Sequence, residues 1–334
     1  MKILVTGGAG YIGRTVVSAL QDSGHTPIIL DSFVTGRREF VQNQIFYEGD
    51  IADDQILKQI FNDHPTITHC IHFAALIVVP DSVSNPYEYY NENVSKSLSL
   101  FKHLQLLGCH NIVFSSSASL YDVVDGFKVT ENAPLKPSSP YARTKYMMEM
   151  VLQDFCQAYD MRGIALRYFN PIGADPLMRS GAHVQYPSHV LAKLLDATRH
   201  EDAVFNITGV DFETRDGSGI RDYIHVWDLA QAHVLAIEQF DSAFEKANES
   251  HYLVINLGTG SGVTVKELVH IFESVYGKRI NKQESAARLG DVAGAYASAQ
   301  RAKSLINWQT NFSIEDAIRH AFEWDAMRET IITY

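Results

Sequence analysis

The sequence is poor in cysteine, with only Cys70, Cys109 and Cys156. None of them forms a Cys-x-x-Cys pair, and each lies in or beside an apolar run. This spacing excludes a disulfide-stabilised scaffold and a cysteine-based metal site, and the histidines show no metal-ligand spacing either. We therefore expect three buried free thiols, no bound metal and a reducing, cytoplasmic location.

Long apolar segments and an excess of positive charge are also missing. No apolar run reaches the roughly 18 residues that span a bilayer. A strand-like stretch at Lys2–Thr6 leaves no room for a secretory signal. The 28 Lys and Arg are outnumbered by 39 Asp and Glu, for a net charge of -11. These absences argue against nucleic acid and membranes as partners, but an anionic small substrate needs only a few local arginines.

What the sequence does contain is a regular alternation of strand-like and helix-like segments in its first half. Such alternation predicts an α/β fold with a doubly wound parallel sheet, because parallel strands need helical crossovers. The predicted strands are Lys2–Thr6, Thr26–Leu30, His69–Phe73, Asn111–Ser115 and Ile164–Tyr168. The predicted helices between them lie near 12–23, 53–63, 93–107 and 141–159.

The rhythm changes after Asn170, where prolines and glycines indicate loops up to about residue 188. Helical periodicity returns near 188–200, 228–240, 264–276 and 313–329, with a capping box predicted at Thr264. We divide the chain into a dinucleotide-binding Rossmann domain at 1–168 and a smaller mixed α/β substrate domain at 169–334. Some segments of the second are expected to return to the first.

A glycine-rich string, Gly7-Gly8-Ala9-Gly10-Tyr11-Ile12-Gly13, follows the first strand and opens a helix. Glycines permit a tight turn and let the backbone approach a pyrophosphate, which the helix N-terminus then stabilises. Asp31 ends the second strand, where a carboxylate binds the adenosine ribose and repels a 2′-phosphate. Arg37 and Arg38 lie nearby and suit NADP, but Asp31 is better placed, so the prediction is NAD.

Tyr141 and Lys145 are four residues apart on a predicted helix that Pro140 begins, so both lie on one face. A nearby ammonium stabilises a phenolate, which makes this pair a candidate base. The spacing alone also describes an ordinary solvated helix face. Ser115-Ser116-Ser117 ends a strand at the edge where chemistry gathers in parallel sheets, and a serine there can share a substrate proton with the tyrosine. A serine run is equally common in loops.

Six motifs together resemble those of a known family. They are T-G-G-A-G-Y-I-G at 6–13, H-F-A-A at 72–75, F-S-S-S-A at 114–118, Y-A-R-T-K at 141–145, R-Y-F-N-P at 167–171 and R-D-Y-I-H-V at 221–226. The sequence resembles the extended short-chain dehydrogenases and, within them, the UDP-galactose (UDP-glucose) 4-epimerases, from residue 2 to about residue 325. The last two motifs are far more specific than the glycine string.

The resemblance implies a role for each matching residue. It implies Ser117, Tyr141 and Lys145 as the catalytic group. The implied NAD contacts are Gly7, Gly10, Tyr11, Ile12, Asp31, Asp50, Ile51, Phe73, Ala74, Ala75, Asn93, Ser115, Tyr141, Lys145 and Tyr168. The implied substrate contacts are Ser117, Tyr141, Asn170, Arg221, Arg288 and Ala295, with the two arginines on the UDP diphosphate.

The implied reaction is epimerisation of a UDP-hexose at C4 through a transient 4-keto sugar, with NAD regenerated in every turnover. A homodimer is also implied, through apolar faces on the helices near 93–107 and 141–159. Ile77 departs from the family pattern, since many members have a lysine there that contacts the cofactor. This predicts looser NAD retention.

A second departure concerns the residue that gates the sugar pocket. Anchoring on Gly290-Asp291 and Asn307-Trp308 places Ala295 at this position, and a small gate predicts that N-acetylated UDP-hexosamines are accepted. A one-residue slip would place Tyr296 there and reverse the expectation. The motif after the serines usually reads Tyr-Gly, and the Asp122 found here has no assigned role.

Other functions fit parts of this pattern. A UDP-pentose 4-epimerase shares the machinery and stays open. A 4,6-dehydratase needs acids beside the catalytic hydroxyl, and Ser117-Ala118-Ser119 offers none. A decarboxylase of the same superfamily and a non-catalytic NAD-binding regulator are the remaining alternatives, but a regulator would not need the tyrosine and lysine that are both present.

Overall fold

A parallel sheet of seven strands forms the centre of the computed structural model, which describes residues 1–184, 189–200, 202–287 and 292–333. The strands of the described residues, seven in this sheet and eight in two-stranded pairs, are β1 (Lys2–Thr6), β2 (Thr26–Asp31), β3 (Ile45–Glu48), β4 (His69–His72), β5 (Asn111–Ser115), β6 (Lys128–Val129), β7 (Arg162–Tyr168), β8 (Asn170–Ile172), β9 (Phe205–Thr208), β10 (Ile220–Arg221), β11 (Tyr223–His225), β12 (Tyr252–Leu257), β13 (Val263–Thr264), β14 (Lys282–Ser285) and β15 (Tyr296–Ala297). The central order is β12-β7-β5-β4-β1-β2-β3, with every pair parallel.

Helices cover both faces of this sheet. The α-helices of the described residues, including those outside this sheet, are α1 (Tyr11–Asp22), α2 (Asp54–Asp63), α3 (Val79–Ser84), α4 (Pro86–Tyr90), α5 (Lys96–Leu106), α6 (Pro140–Ala158), α7 (Val190–Asp196), α8 (Val226–Glu238), α9 (Phe240–Ala247), α10 (Val265–Tyr276), α11 (Gln300–Ile306) and α12 (Ile314–Ile331). No helix within the described residues is long and apolar enough to cross a membrane.

Alternation along β1 explains why both faces are covered. Ile3 and Val5 pack into the apolar cluster that α1 and α8 share, whereas Leu4 packs into the cluster under α2, α5 and α6. Side chains alternate along a strand, so a strand that is buried on both sides must be apolar throughout. The doubly wound fold class predicted from the alternation is therefore confirmed.

The predicted elements of the first half are confirmed to within a few residues, and the capping box at Thr264 is formed. Three differences stand out. Residues Asn91–Ser95 form a π-helical turn before α5, and the helix expected near 188–200 is only Val190–Asp196. The strands β3 and β12 were not predicted, although both belong to the central sheet.

The part of the chain after residue 168 has a core of its own. Leu191, Leu194, Leu268, Phe272 and Ile318 form its centre, where α7, α10 and α12 meet. β12 nevertheless returns to the edge of the central sheet beside β7. The domain division at 168 stays a prediction. The three cysteines are free and buried, as expected.

Candidate active site

The glycine-rich turn joins β1 to α1 at the carboxyl edge of the central sheet. Gly7 has φ +72°, and a Cβ atom there would lie 2.7 Å from the backbone nitrogen of Ala74. A Cβ atom on Gly13 would lie 2.1 Å from the carbonyl oxygen of Gly7. α1 begins after Gly10 with no side-chain cap. Its first N–H groups and its dipole favour an anion, so this turn fits the pyrophosphate of a dinucleotide.

Tyr11 and Ile12 form the first turn of α1, as predicted. The Tyr11 hydroxyl donates a hydrogen bond to the carbonyl oxygen of Gly173 at 2.7 Å. The Tyr11 hydroxyl therefore already binds the segment that follows β8. A contact between Tyr11 and a cofactor phosphate would therefore come from its backbone N–H.

Asp31 lies at the end of β2, directly beside the glycine turn. Its carboxylate accepts backbone hydrogen bonds from Ala9 at 2.9 Å and Phe33 at 2.8 Å. Burial raises the pKa of Asp31, and these two bonds act in the opposite direction. Arg38 forms an ion pair with Glu48. Asp31 is therefore fixed in the position from which a carboxylate can bind ribose hydroxyls.

The other predicted NAD contacts line the same edge. The Asp50 carboxylate accepts a hydrogen bond from Lys96 Nζ at 2.6 Å, and Ile51 is buried. Asn93 bonds both backbone groups of Leu76, through Oδ1 at 2.8 Å and Nδ2 at 2.9 Å. Asn93 thus holds the backbone of the residue that follows Phe73, Ala74 and Ala75.

Tyr141, Lys145 and Ser117 meet at the end of β5. Ser139 caps α6 by accepting the Ala142 N–H at 3.1 Å, and Pro140 occupies the first turn. The Ser117 hydroxyl lies close enough to Tyr141 to lower the pKa of the phenol. Ser117 Oγ itself accepts the Ser119 backbone N–H at 3.1 Å and bonds the Ser119 hydroxyl at 2.9 Å. Lys145 Nζ donates to the carbonyl oxygen of Ser115 at 2.8 Å. The spacing predicted from the sequence thus places the phenol and the ammonium one helical turn apart.

Burial governs the electrostatics of this group. It raises the pKa of Tyr141, which the hydrogen bond from Ser117 partly offsets. It also lowers the pKa of Lys145 to about 7, against an opposing contribution from Glu149. A phenolate here therefore depends on nearby positive charge and on its hydrogen bond.

Replacement of Lys145 should separate stability from activity. The unfolded chain holds the lysine proton more tightly than the folded one, so folding stability rises with pH between about 7 and 10.5. We expect Lys145→Met to stabilise the cofactor-free protein at pH 7 by about 1–3 kcal/mol. This gain should shrink toward pH 10, and enzymatic turnover should be lost. Urea unfolding at both pH values would measure the effect, and destabilisation at pH 7 would contradict it.

Two further predicted site residues, Tyr168 and Asn170, lie at the end of β7 and the start of β8. The Tyr168 and Ser115 hydroxyls form a short hydrogen bond beside Lys145. Asn170 begins β8, and its backbone N–H donates to the carbonyl oxygen of Asp222 at 3.0 Å. Its side chain is half-buried.

Arg221 lies at the end of β10 and reaches toward the segment that carries Ala295. Its guanidinium donates to the carbonyl oxygens of Ile220 at 2.7 Å, Ala293 at 2.8 Å and Val292 at 3.2 Å. These bonds use three of its five N–H donors, and no described residue takes the others. Ala295 is half-buried. Arg288, Gly290 and Asp291 lie outside the described residues.

Two buried acids that were not predicted from the sequence connect separate elements around the candidate site. Asp222 accepts backbone hydrogen bonds from Thr259, Gly260 and Ala297. Glu149 forms a buried ion pair with Arg167, on β7. The only sequence signals were their positions next to Arg221 and four residues after Lys145. Among the described residues, no group of three or more His, Cys, Asp or Glu side chains could hold a metal ion.

A doubly wound sheet with a glycine turn, a ribose-facing carboxylate and a Tyr–Lys pair defines a dinucleotide-binding protein of the short-chain dehydrogenase type. Residues 3–258 match the model of the NAD dependent epimerase/dehydratase family, and the chain belongs to this family.

Characterised relatives align over nearly the whole chain. It is 38% identical to the UDP-glucose 4-epimerase of Rhizobium leguminosarum bv. trifolii, over 97% of each chain. A solved UDP-glucose-4-epimerase from Stenotrophomonas maltophila, with bound NAD and formylated UDP-arabinopyranose, is 34% identical with a TM-score of 0.92 over 99% of each chain. The UDP-Glc/GlcNAc 4-epimerase of Campylobacter jejuni is 30% identical with a TM-score of 0.79, over 98% of this chain and 99% of that one.

Proposed function

We propose that this chain is an isomerase that epimerises a UDP-hexose at C4, with UDP-glucose and UDP-galactose as substrates. The observation that carries the proposal is the placement of the Tyr141 and Ser117 hydroxyls beside each other, with Lys145 one turn away, at the sheet edge that also carries the glycine turn. The 38% identity to a UDP-glucose 4-epimerase over nearly the full chain supports the same reaction.

Tyr141 would act as the base in this reaction. Its phenolate takes the proton of the sugar 4-hydroxyl, and Ser117 shares that proton through its hydrogen bond to the phenol oxygen. NAD, when bound, would supply reversible hydride transfer at C4, so that the sugar passes through a 4-keto form. Tyr141 would then give the proton back to the C4 oxygen, which becomes the new 4-hydroxyl, so that neither protons nor electrons are gained or lost.

The residues at the pocket fit NAD and a UDP-sugar. The turn at Gly7 leaves no room for a side chain, which suits close approach by a pyrophosphate. Asp31 would bind the adenosine ribose. Arg221, and Arg288 by resemblance, would bind the UDP diphosphate, since guanidinium forms paired hydrogen bonds with phosphate.

An NMR assay of the purified protein without added NAD tests this proposal. UDP-glucose, UDP-galactose, UDP-GlcNAc and UDP-pentoses would be supplied separately, and interconversion of the C4 epimers would be followed. Turnover of UDP-galactose to UDP-glucose is expected. Inactivity on every UDP-sugar, with NAD supplied as a further control, would reject the function.

A UDP-pentose is the second candidate substrate. The solved relative from Stenotrophomonas maltophila holds formylated UDP-arabinopyranose, which is a pentose derivative. A pentose lacks the C6 hydroxymethyl group but presents the same 4-hydroxyl to the base. The pentose arm of the assay decides between the two by comparison of kcat/KM.

We also propose that the protein is a cytoplasmic homodimer. Helices α5 and α6 pack against each other. Four apolar side chains on these two helices are nevertheless at least 40% exposed: Leu98, Leu106, Met147 and Met150. Two such helix pairs would bury these side chains in a symmetric four-helix interface. The three free cysteines support a reducing location. Sedimentation velocity would measure the oligomeric state.

Ile77 offers a test of cofactor retention. Its side chain is 62% exposed on the segment that Asn93 holds. We expect Ile77→Lys to slow NAD dissociation about tenfold, because the ammonium gains a charge-assisted hydrogen bond to the cofactor. The NAD content after dialysis would be measured. Val79→Lys adds the same charge two residues away and should change little. A wild-type protein that stays fully loaded through dialysis would contradict the prediction.

A further inference from the structure

A buried ion pair lies directly behind the serines at the end of β5. Arg167 donates to Glu149 through Nε at 2.9 Å and through Nη2 at 2.6 Å. The Ser116 hydroxyl donates a short hydrogen bond to the same carboxylate. All three residues are at most 4% exposed. Through the Ser116 hydroxyl, the carboxylate thus connects the end of β5 to α6 and to β7.

This attachment matters because the neighbours of Ser116 both contact the candidate catalytic group. The carbonyl oxygen of Ser115 accepts the hydrogen bond of Lys145, and the Ser117 hydroxyl lies beside that of Tyr141. A shift of Ser116 would therefore displace both contacts together. Its backbone N–H is also held, by the carbonyl oxygen of Leu166 at 3.0 Å.

Charge provides a second link between the pair and the catalytic group. Tyr141, Lys145 and Glu149 are spaced four residues apart on α6, so they share one face of the helix. The groups that face Lys145 come from three elements. They are Tyr141 and Glu149 on α6, the Ser115 carbonyl and the Phe114 ring on β5, and neutral His72 on β4. On β7, Arg167 pairs with Glu149, and Tyr168 bonds Ser115 and acts electrostatically on Tyr141.

We propose that Glu149 and Arg167 are positioning residues for the epimerisation, which hold Ser116 in place and balance the charge around Tyr141 and Lys145. This inference rests on the proposed function. Stability alone does not account for the pair, since a buried ion pair is often no more stable than apolar residues of equal volume. Its two charges cancel, and removal of either one leaves the opposite charge beside the catalytic group.

Because Glu149 and Arg167 carry opposite charges, replacing each of them gives a test that distinguishes a positioning role from a purely structural one. Glu149→Gln leaves a net positive charge and should move the acid limb of the pH–rate profile to lower pH by about one unit. Arg167→Gln leaves a net negative charge and should move it to higher pH by a similar amount. The double variant Glu149→Gln/Arg167→Gln should restore the wild-type midpoint. Shifts in the same direction, or none, would overturn the proposal.

Conservative variants keep the test usable if a single variant fails to fold. Arg167→Lys retains the charge, so the wild-type midpoint is expected with a lower kcat. Ser116→Ala removes only the hydroxyl, and kcat should fall about tenfold with no change in midpoint. Arg179→Gln breaks the half-buried pair with Asp175 away from this site and serves as the matched control. A displaced midpoint in Arg167→Lys or Ser116→Ala would reject the charge argument.

A measurement without turnover separates this inference from the proposed function. Near-ultraviolet absorbance reports phenolate formation, and the difference between each protein and its Tyr141→Phe counterpart isolates Tyr141. The same opposite shifts are expected in this titration. If the wild type epimerises no UDP-sugar, the function fails while the titration still decides the coupling. If turnover is normal and the titrations of the two single variants coincide, the positioning role fails.

Discussion

Tyr141→Phe is expected to lower the rate of UDP-galactose epimerisation by about a thousandfold or more, while NAD stays bound. The change removes one oxygen atom, the one that lies beside Ser117 and that would accept the substrate proton. The phenyl ring keeps the shape of the pocket, so the loss reflects the missing base. The NMR assay gives the rate, and the NAD content of the purified variant checks that the cofactor site is intact.

Tyr159→Phe is the matched control for this experiment. Tyr159 ends the same helix, is 43% exposed and packs on Phe155. The identical chemical change there should leave the rate within about twofold of the wild type. Substantial activity in Tyr141→Phe would mean that another group removes the proton, and the assignment of the base would be wrong.

Local sequence patterns predicted the first half of the fold well, since its strands and helices carry their own signals. β1 and β5 were predicted at their exact bounds. β3 was missed because it lies at the sheet edge, where its side chains are largely exposed and the apolar signal is weak. β12 is apolar apart from Asn256, but residues 169–251 separate it from β7, so no local pattern predicts that the two strands pair.

The candidate site likewise combines contacts that the sequence predicts with contacts that it does not. The pairing of Tyr141 with Lys145 follows from helical spacing, so the sequence was enough to predict it. The hydrogen bond between Ser116 and Glu149, and the ion pair of Glu149 with Arg167, join three separate elements. No local period encodes such contacts. They become visible only when β5, α6 and β7 are packed together.

The segment around Ala295 decides which sugars enter the pocket, in our proposal. Gly294 forms a bridge to Ile220, beside Arg221, and β15 follows directly. The Tyr296 ring packs closely on Gly262, as the Ile220 side chain also does. Consecutive side chains of an extended segment point to opposite sides. Ala295 therefore faces away from the side that Tyr296 occupies, which supports the assignment of the smaller residue as the gate.

Ala295→Tyr is accordingly expected to lower kcat/KM for UDP-GalNAc about a hundredfold, while the value for UDP-galactose stays within about threefold. The phenol side chain would fill the space needed by the 2-acetamido group, whereas a 2-hydroxyl is small enough to remain. The solved UDP-Glc/GlcNAc 4-epimerase of Campylobacter jejuni is 30% identical to this chain, so a dual specificity has a precedent in a related structure. The rates of both proteins on both sugars would be measured.

Tyr296→Ala completes the experiment, because it tests the alternative that the gate lies one residue later. If Ala295 is the gate, the wild type already accepts UDP-GalNAc, and Tyr296→Ala adds nothing to that activity. If Tyr296 is the gate, the wild type excludes UDP-GalNAc and Tyr296→Ala admits it. Exclusion of UDP-GalNAc to the same extent by the wild type and by Ala295→Tyr would reject Ala295. Under either assignment, the side chain at one position of this short extended segment determines which UDP-sugars the enzyme accepts.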